Sequence, residues 1–149
     1  RHPAAKSRPQ ELAKGKFEMV LDDPHIEDIN RVKRLLLCCG KIYYELSAER
    51  ENNRREDIAI VRIEQLYPFP EWTVSNILSR YKHAGDIIWV QEEPLNMGAW
   101  HFISRHIAPS LPFGTSLRYV GRPESSSPAA GSRRRHRKEQ ETLLAEALE

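Results

Sequence analysis

A mainly parallel β-sheet covered by helices on both faces is the fold class this sequence predicts. Three continuous apolar runs, Leu35–Cys39, Ile58–Val61 and Ile87–Val90, lack the alternation of a half-solvated strand. They read as strands buried on both faces. Each is followed by residues at helical spacing, and strands alternating with helices every ~20–30 residues imply parallel pairing through right-handed crossovers.

The elements follow in order. Residues 1–16, with Pro3, Pro9, Gly15 and scattered basic side chains, hold no sustained period and read as a linker or lead-in, which leaves 17–149 as a single α/β domain. Phe17–Leu21 is a short extended segment, and Asp22-Asp23-Pro24 reads as a turn. The first buried strand ends at Gly40. Ile42, Leu46 and Glu49 follow at helical spacing with Tyr43 beside them, and Asn52-Asn53 ends that helix. Pro68 and Pro70 punctuate the exit of the second strand. A helix over Glu71–Tyr81 then places Trp72, Ile77, Leu78 and Tyr81 on or near one face. Gly85-Asp86 turns the chain into the third strand. Pro94 and Gly98 lead to a helix over Ala99–Ile107, which Pro109 stops. Leu117–Val120 is a fourth, half-buried strand ending at Gly121. Glu124–Ser132 is a loop, and His136–Leu148 is a last helix with a stripe of Leu143, Leu144, Ala147 and Leu148.

Composition narrows the function classes. The 149 residues are 40% hydrophobic and 30% charged, a globular profile. A formal net charge of +2 argues against nucleic acid as the partner of the whole domain. No apolar run approaches the ~18 residues of a membrane span, so no membrane partner is expected. Arg1–Lys16 lacks the apolar core of a signal peptide and the chain does not begin with Met, so it reads as cut from a longer chain or processed. Adjacent strand residues point to opposite faces, so Cys38 and Cys39 do not form a disulfide with each other. They are a reactive thiol or metal ligand in one reading, and small buried hydrophobes in the expected one.

In a parallel sheet one edge collects every strand exit, where ligands and partner domains dock. That edge would hold Lys41, Arg62, Glu64, Gln65, Gln91, Glu92, Glu93 and Arg122. Gly40-Lys41 lies between strand and helix, but the spaced glycines of a phosphate loop are missing, so Gly40 reads as a tight turn. Glu92-Glu93 forms an acid/base pair only if one carboxyl is shifted beside a pocket, and adjacent glutamates leaving a strand point apart. Arg62 and Glu64 share a face, so an ion pair between them, or with Glu92 or Arg122, stands against substrate binding. The six histidines show no metal spacing; His101 and His106 are five apart where helical pairs favour four. No nucleophile motif is visible, and no catalytic, cofactor-binding or metal residue is assigned. The basic run Arg133–Lys138 either grips an anionic partner or is a solvated helix start. It lacks the interleaved aromatics of base stacking.

Several stretches taken together resemble the C-terminal domain of the thiamine-dependent decarboxylating component of 2-oxoglutarate dehydrogenase. They include Gly15-Lys16-Phe17, Gly40–Leu46, Ile60–Leu66 with Pro68 and Pro70, Gln91–Pro94 with Asn96, Gly98 and Trp100, and Arg118-Tyr119 with Gly121-Arg122-Pro123. Ser127-Pro128-Ala129, Gly131, His136 and Gln140 complete the match. The wider group contains transketolase C-terminal domains, similar in the patterns that here run from Arg62 to Pro68 and from Glu93 to Gly98. The resemblance implies a three-layer α/β sandwich and a structural, interdomain role, without catalysis by this domain alone. For the full-length enzyme it implies oxidative decarboxylation of 2-oxoglutarate and succinyl transfer to a lipoyl group, with thiamine diphosphate and magnesium bound by upstream domains. The implied partners are those upstream domains, a second copy in a homodimer, the lipoyl-bearing succinyltransferase and dihydrolipoamide dehydrogenase. The implied place is the tricarboxylic acid cycle, in the bacterial cytoplasm or the mitochondrial matrix. A regulatory anion- or nucleotide-binding module, or the same domain of a 2-oxoadipate-using relative, is the alternative. Some actinobacterial relatives bind acetyl-CoA through basic residues just after the second-strand motif. Here Glu71, Trp72 and Thr73 occupy that place, which argues against such regulation.

Overall fold

The computed structural model describes residues 3, 5, 6 and 9–149, with the side chains of Glu11, Leu12 and Lys14 excepted. Its strands are β1 (Val20–Leu21), β2 (Arg34–Cys38), β3 (Ile58–Ile63), β4 (Asp86–Pro94) and β5 (Leu117–Arg122). Its helices are α1 (Pro9–Lys14), α2 (Ile42–Asn52), α3 (Glu71–Arg80), α4 (Trp100–Ile107) and α5 (Arg133–Leu148). The sheet has the order β1-β3-β2-β4-β5. Four strands are parallel, with Leu36 of β2 opposite both Ile60 of β3 and Ile88 of β4. The edge strand β1 is antiparallel, with Val20 opposite Ile63 and Leu21 opposite Arg62.

Because successive strand residues face opposite sides, the apolar runs feed two cores. Leu35, Leu37, Ala59, Val61, Ile87 and Trp89 meet α3 and α4 residues on one face, all at most 1% exposed. Leu36, Cys38, Ile58, Ile60, Ile88 and Val90 meet α2 and α5 residues on the other, none more than 1% exposed. The result is the three-layer α/β sandwich expected. Cys38 is a buried hydrophobe, Cys39 is half-buried on the opposite face, and both are free thiols.

Several boundaries differ from the sequence reading. Residues 1, 2, 4, 7 and 8 of the expected linker lie outside the described residues, and Pro9–Lys14 within it is helical. Helix α5 begins at Arg133 rather than His136, because the Ser132 hydroxyl caps it by accepting the Arg135 N–H at 3.2 Å. Strand β4 runs on through Gln91-Glu92-Glu93 to Pro94, with a register shift after Val90. Asp86, read as a turn residue, opens that strand. Trp72 is 79% exposed rather than on the packed face of α3. That face is Val74, Ile77, Leu78 and Tyr81, and a residue two before Val74 projects about 200° away from it. Trp100 is half-buried, its ring 5.3 Å from that of Tyr119.

The lead-in is fastened by carboxylates. Asp22 accepts the Tyr81 hydroxyl at 2.7 Å and pairs with Arg80. Asp23 is buried, pairs with Arg50, and accepts the Ile60 N–H at 2.7 Å.

Burial, reinforced by the Asp22 carboxylate, pushes Tyr81 well above the ordinary tyrosine value of 10.0. Burial also raises the Cys38 thiol, and pushes Tyr119 up to about 12. These groups are neutral in the folded state and ionise more readily when unfolded. The stability they confer is therefore complete below the ordinary values of 9.0 for Cys and 10.0 for Tyr, and is lost as pH rises through the folded values. Urea midpoints should be flat near pH ~8 and fall above ~10, and Tyr81→Phe should make the decline shallower. An identical pH profile for Tyr81→Phe would contradict this account of Tyr81.

Candidate functional site

The parallel register brings every predicted edge residue to one end of the sheet, but into separate groups. Gly40 takes φ +73° between β2 and α2, which accounts for a glycine in the turn. Lys41 follows, and its ammonium bonds Glu45 Oε1 at 2.6 Å and Glu92 Oε1 at 2.8 Å. Gln140 of α5 closes the network, donating to Glu45 Oε2 at 2.8 Å and Glu92 Oε1 at 3.4 Å. Partial burial opposes the Lys41 charge, but its two carboxylate partners outweigh it and hold the amine above its usual value. Glu92 and Glu93 do point apart: Glu92 enters this network and Glu93 is exposed.

Arg122 ends β5 as an anchor, with its side chain 11% exposed. It donates through Nε to the Glu92 carbonyl at 2.6 Å, through Nη1 to Glu139 Oε2 at 3.5 Å, and through Nη2 to the Pro128 carbonyl. One guanidinium thus ties β4, the loop after β5 and α5 together. Arg135 and Arg122 hold the Glu139 carboxyl below the usual carboxylate value.

Arg62 lies over an aromatic pair, 4.3 Å from the Tyr43 ring centroid and 5.7 Å from that of Tyr44. Its Nε is 3.8 Å from Glu64 Oε1, an ion pair too long for a hydrogen bond. That buried oxygen has no hydrogen-bond partner. Gln65 donates to the Pro68 carbonyl at 2.7 Å and shapes the exit loop of β3.

Gln91 is 4% exposed and organises the remaining exit. Its Oε1 accepts the Trp89 indole N–H at 2.9 Å and the Trp100 backbone N–H at 3.1 Å, so it caps the start of α4. Its Nε2 donates to the Met97 carbonyl at 2.8 Å. Beside it opens a cavity of about 390 Å³ lined by Cys39, Leu66, Tyr67, Trp89, Glu93 and Phe102, among others. Tyr67, on its rim, is 87% exposed.

Sequence reasoning missed Glu45, Gln140, Glu139 and the Tyr43–Tyr44 platform as members of this edge. Glu45 was detectable, four residues after Lys41 on a helix. Gln140 carried no local signal. Among the described residues, no group of three or more His, Cys, Asp or Glu is placed to hold a metal, and no helix is long and apolar enough to cross a membrane.

Fold and edge define a class: a three-layer α/β domain whose exit-edge cations Lys41, Arg62 and Arg122 each contact groups within the domain. The chain belongs to the family described as 2-oxoglutarate dehydrogenase C-terminal, whose model matches residues 6–148. It is 45% identical over 148 residues to the 2-oxoglutarate dehydrogenase E1 component of Haemophilus influenzae. It is 47% identical over 152 residues to that of Rickettsia prowazekii, and 44% over 148 to the oxoglutarate dehydrogenase of Buchnera aphidicola. Each alignment covers 99% of this chain and 16% of the relative's length.

Proposed function

We propose that this domain is the structural C-terminal part of a thiamine-dependent 2-oxoglutarate dehydrogenase decarboxylating component, and that its strand-exit edge is the surface on which the upstream domains pack. The observation that carries the edge assignment is the direction of β1. Being antiparallel to β3, it enters from the exit end, and the carbonyl of Met19 just before it accepts the Glu64 and Gln65 N–H groups at 2.9 and 3.0 Å. Chain preceding residue 19 is therefore delivered to that edge. There Tyr67 and Trp72 are exposed, and Glu64 keeps a buried oxygen that makes no hydrogen bond. Exposed aromatics and an acceptor without a hydrogen bond suit an interdomain contact.

The edge itself does not fit thiamine diphosphate and magnesium. A magnesium-bound diphosphate needs several carboxylate or amide oxygens aimed at one metal, whereas Glu45 and Glu92 are held by Lys41 and Gln140, and among the described residues no group of three or more His, Cys, Asp or Glu converges on one point. No catalytic step is assigned to this domain. The decarboxylation of 2-oxoglutarate, the succinyl transfer to the lipoyl-bearing succinyltransferase and the homodimer belong to the longer enzyme, acting with dihydrolipoamide dehydrogenase. The names of the relatives favour 2-oxoglutarate over 2-oxoadipate, and their bacterial sources favour the cytoplasm. The nucleotide-module alternative, which takes Lys41, Arg62, Arg122 and the basic run from Arg133, loses support at the first three because they have partners within the domain.

Tyr67→Asp tests the assignment with two readouts. In the isolated domain this exposed change should shift stability by no more than ~0.5 kcal/mol. In the full-length enzyme it should lower both the melting temperature and 2-oxoglutarate-dependent acceptor reduction. An unaffected full-length enzyme would remove the exit edge from the interface.

A further inference from the structure

We propose that the first two turns of α5 form a docking surface for an acidic polypeptide segment. Six consecutive basic side chains, Arg133 to Lys138, are all exposed there. Arg135 is paired, with Glu139 at 2.6 Å. Arg133, Arg134, Arg137 and Lys138 have no ion pair among the described residues. Their arrangement is unfavourable within the chain. Arg133 with Arg137, and Arg134 with Lys138, are like charges four apart on a helix, where such pairs repel. They also crowd the helix end at which the macrodipole disfavours cations, and the first turn holds no acidic residue. These four side chains have no counterion within the helix, so the complementary charge comes from outside it.

The chemistry selects the partner. Neighbouring cations in these rows are about 5–6 Å apart at Cβ, close to the ~6.6 Å between side chains on one face of an extended segment. Guanidinium forks pair with carboxylates bidentately, and three of the four unpaired side chains are arginines. Arg135 and Lys138 also line a cavity of about 290 Å³ between β5 and α5, but Glu139 and Glu146 line it too, so the segment lies along the helix rather than in the cavity. Nucleic acid is disfavoured because residues 133–142 contain no Phe, Tyr or Trp to stack bases. A membrane surface is disfavoured because Leu143, Ala147 and Leu148 are buried in the core, leaving α5 no apolar face to insert.

The test uses the full-length protein and a fluorescein-labelled oligoglutamate peptide, followed by anisotropy. Saturable binding is expected, weakening as added salt screens the charges. The triple variant Arg134→Gln, Arg137→Gln, Lys138→Gln should lose about tenfold or more in affinity without a lower melting temperature. A matched triple at exposed cations elsewhere, Lys33→Gln, Lys82→Gln, Arg105→Gln, should bind as the unmodified protein does. The proposal is overturned by an absence of binding, by equal losses in both triples, or by tighter binding of a single-stranded oligonucleotide or of phosphatidylserine vesicles. None of those results bears on the exit edge, which Tyr67→Asp tests separately.

Discussion

Asp23→Ala should cost about 3–5 kcal/mol of folding stability. Asp23 and Arg50 are a buried pair, their side chains 0% and 6% exposed. The Asp23 carboxylate also accepts the Ile60 N–H at 2.7 Å and the His25 N–H at 3.0 Å. Removing it leaves the Arg50 guanidinium in the interior with the Ile58 carbonyl, 3.2 Å away, as its remaining polar contact with the fold. It also strips the acceptor from a backbone N–H in the middle of β3. Asp23→Asn should recover little, because the amide keeps the volume but not the charge. The double change Asp23→Leu with Arg50→Met should recover only part of the loss, since an apolar pair removes both desolvated charges together but leaves the Ile60 N–H without its acceptor. Urea unfolding of the unmodified protein, Asp23→Leu, Arg50→Met and the double variant as a double-mutant cycle decides the matter. A cost below ~1 kcal/mol for Asp23→Ala would mean that water reaches Arg50. The same variant should free the lead-in to exchange its amides: β1 has two residues, too few to hold itself, and Asp22 and Asp23 tie it to α2, α3 and β3.

Asp23 also marks a limit of what the sequence conveys. Three of the four parallel strands were legible because burial on both faces leaves an uninterrupted apolar run, and β5 was legible as a half-buried run ending at Gly121. The helices were legible because each buries one stripe. That reasoning also located the exit edge, since residues after a parallel strand have nowhere else to go. It could not pair the edge. Lys41 meets Glu92 across 51 positions, and Gln140 meets Glu45 across 95, distances at which no local pattern operates. It marked Phe17–Leu21 as extended and Asp22-Asp23-Pro24 as a turn, but could not see that Val20 and Leu21 pair with β3 or that Asp23 is buried. Polar residues at a turn and polar residues in a buried bracket look alike until their partners are in place. Trp72 erred the other way. Helical spacing put it on or near the face of Ile77, Leu78 and Tyr81, while its position two before Val74 places it outside.

Gln91 was legible as an edge residue but not as the structural centre of that edge, and its loss is the second large effect expected. Gln91→Leu keeps the side-chain volume while depriving three groups of their partner: the Trp89 indole N–H, the Trp100 backbone N–H and the Met97 carbonyl. At ~1–3 kcal/mol for each buried unsatisfied group, the loss should be about 3 kcal/mol or more. Gly98→Ala should reach the same failure from the other side. At φ +67° a side chain is strained, and its Cβ would lie 2.8 Å from Gln91 Nε2 and 3.0 Å from Gln91 Cδ, so the amide must leave its position. The two changes act on one network, so together they should cost less than the sum of the single losses. Both should also alter the near-ultraviolet circular dichroism of the domain, because Trp89 and the start of α4 at Trp100 lose their fixed partner. If the losses add independently, Gly98 is acting through backbone strain alone. Gln91 is then not what shapes the turn into α4.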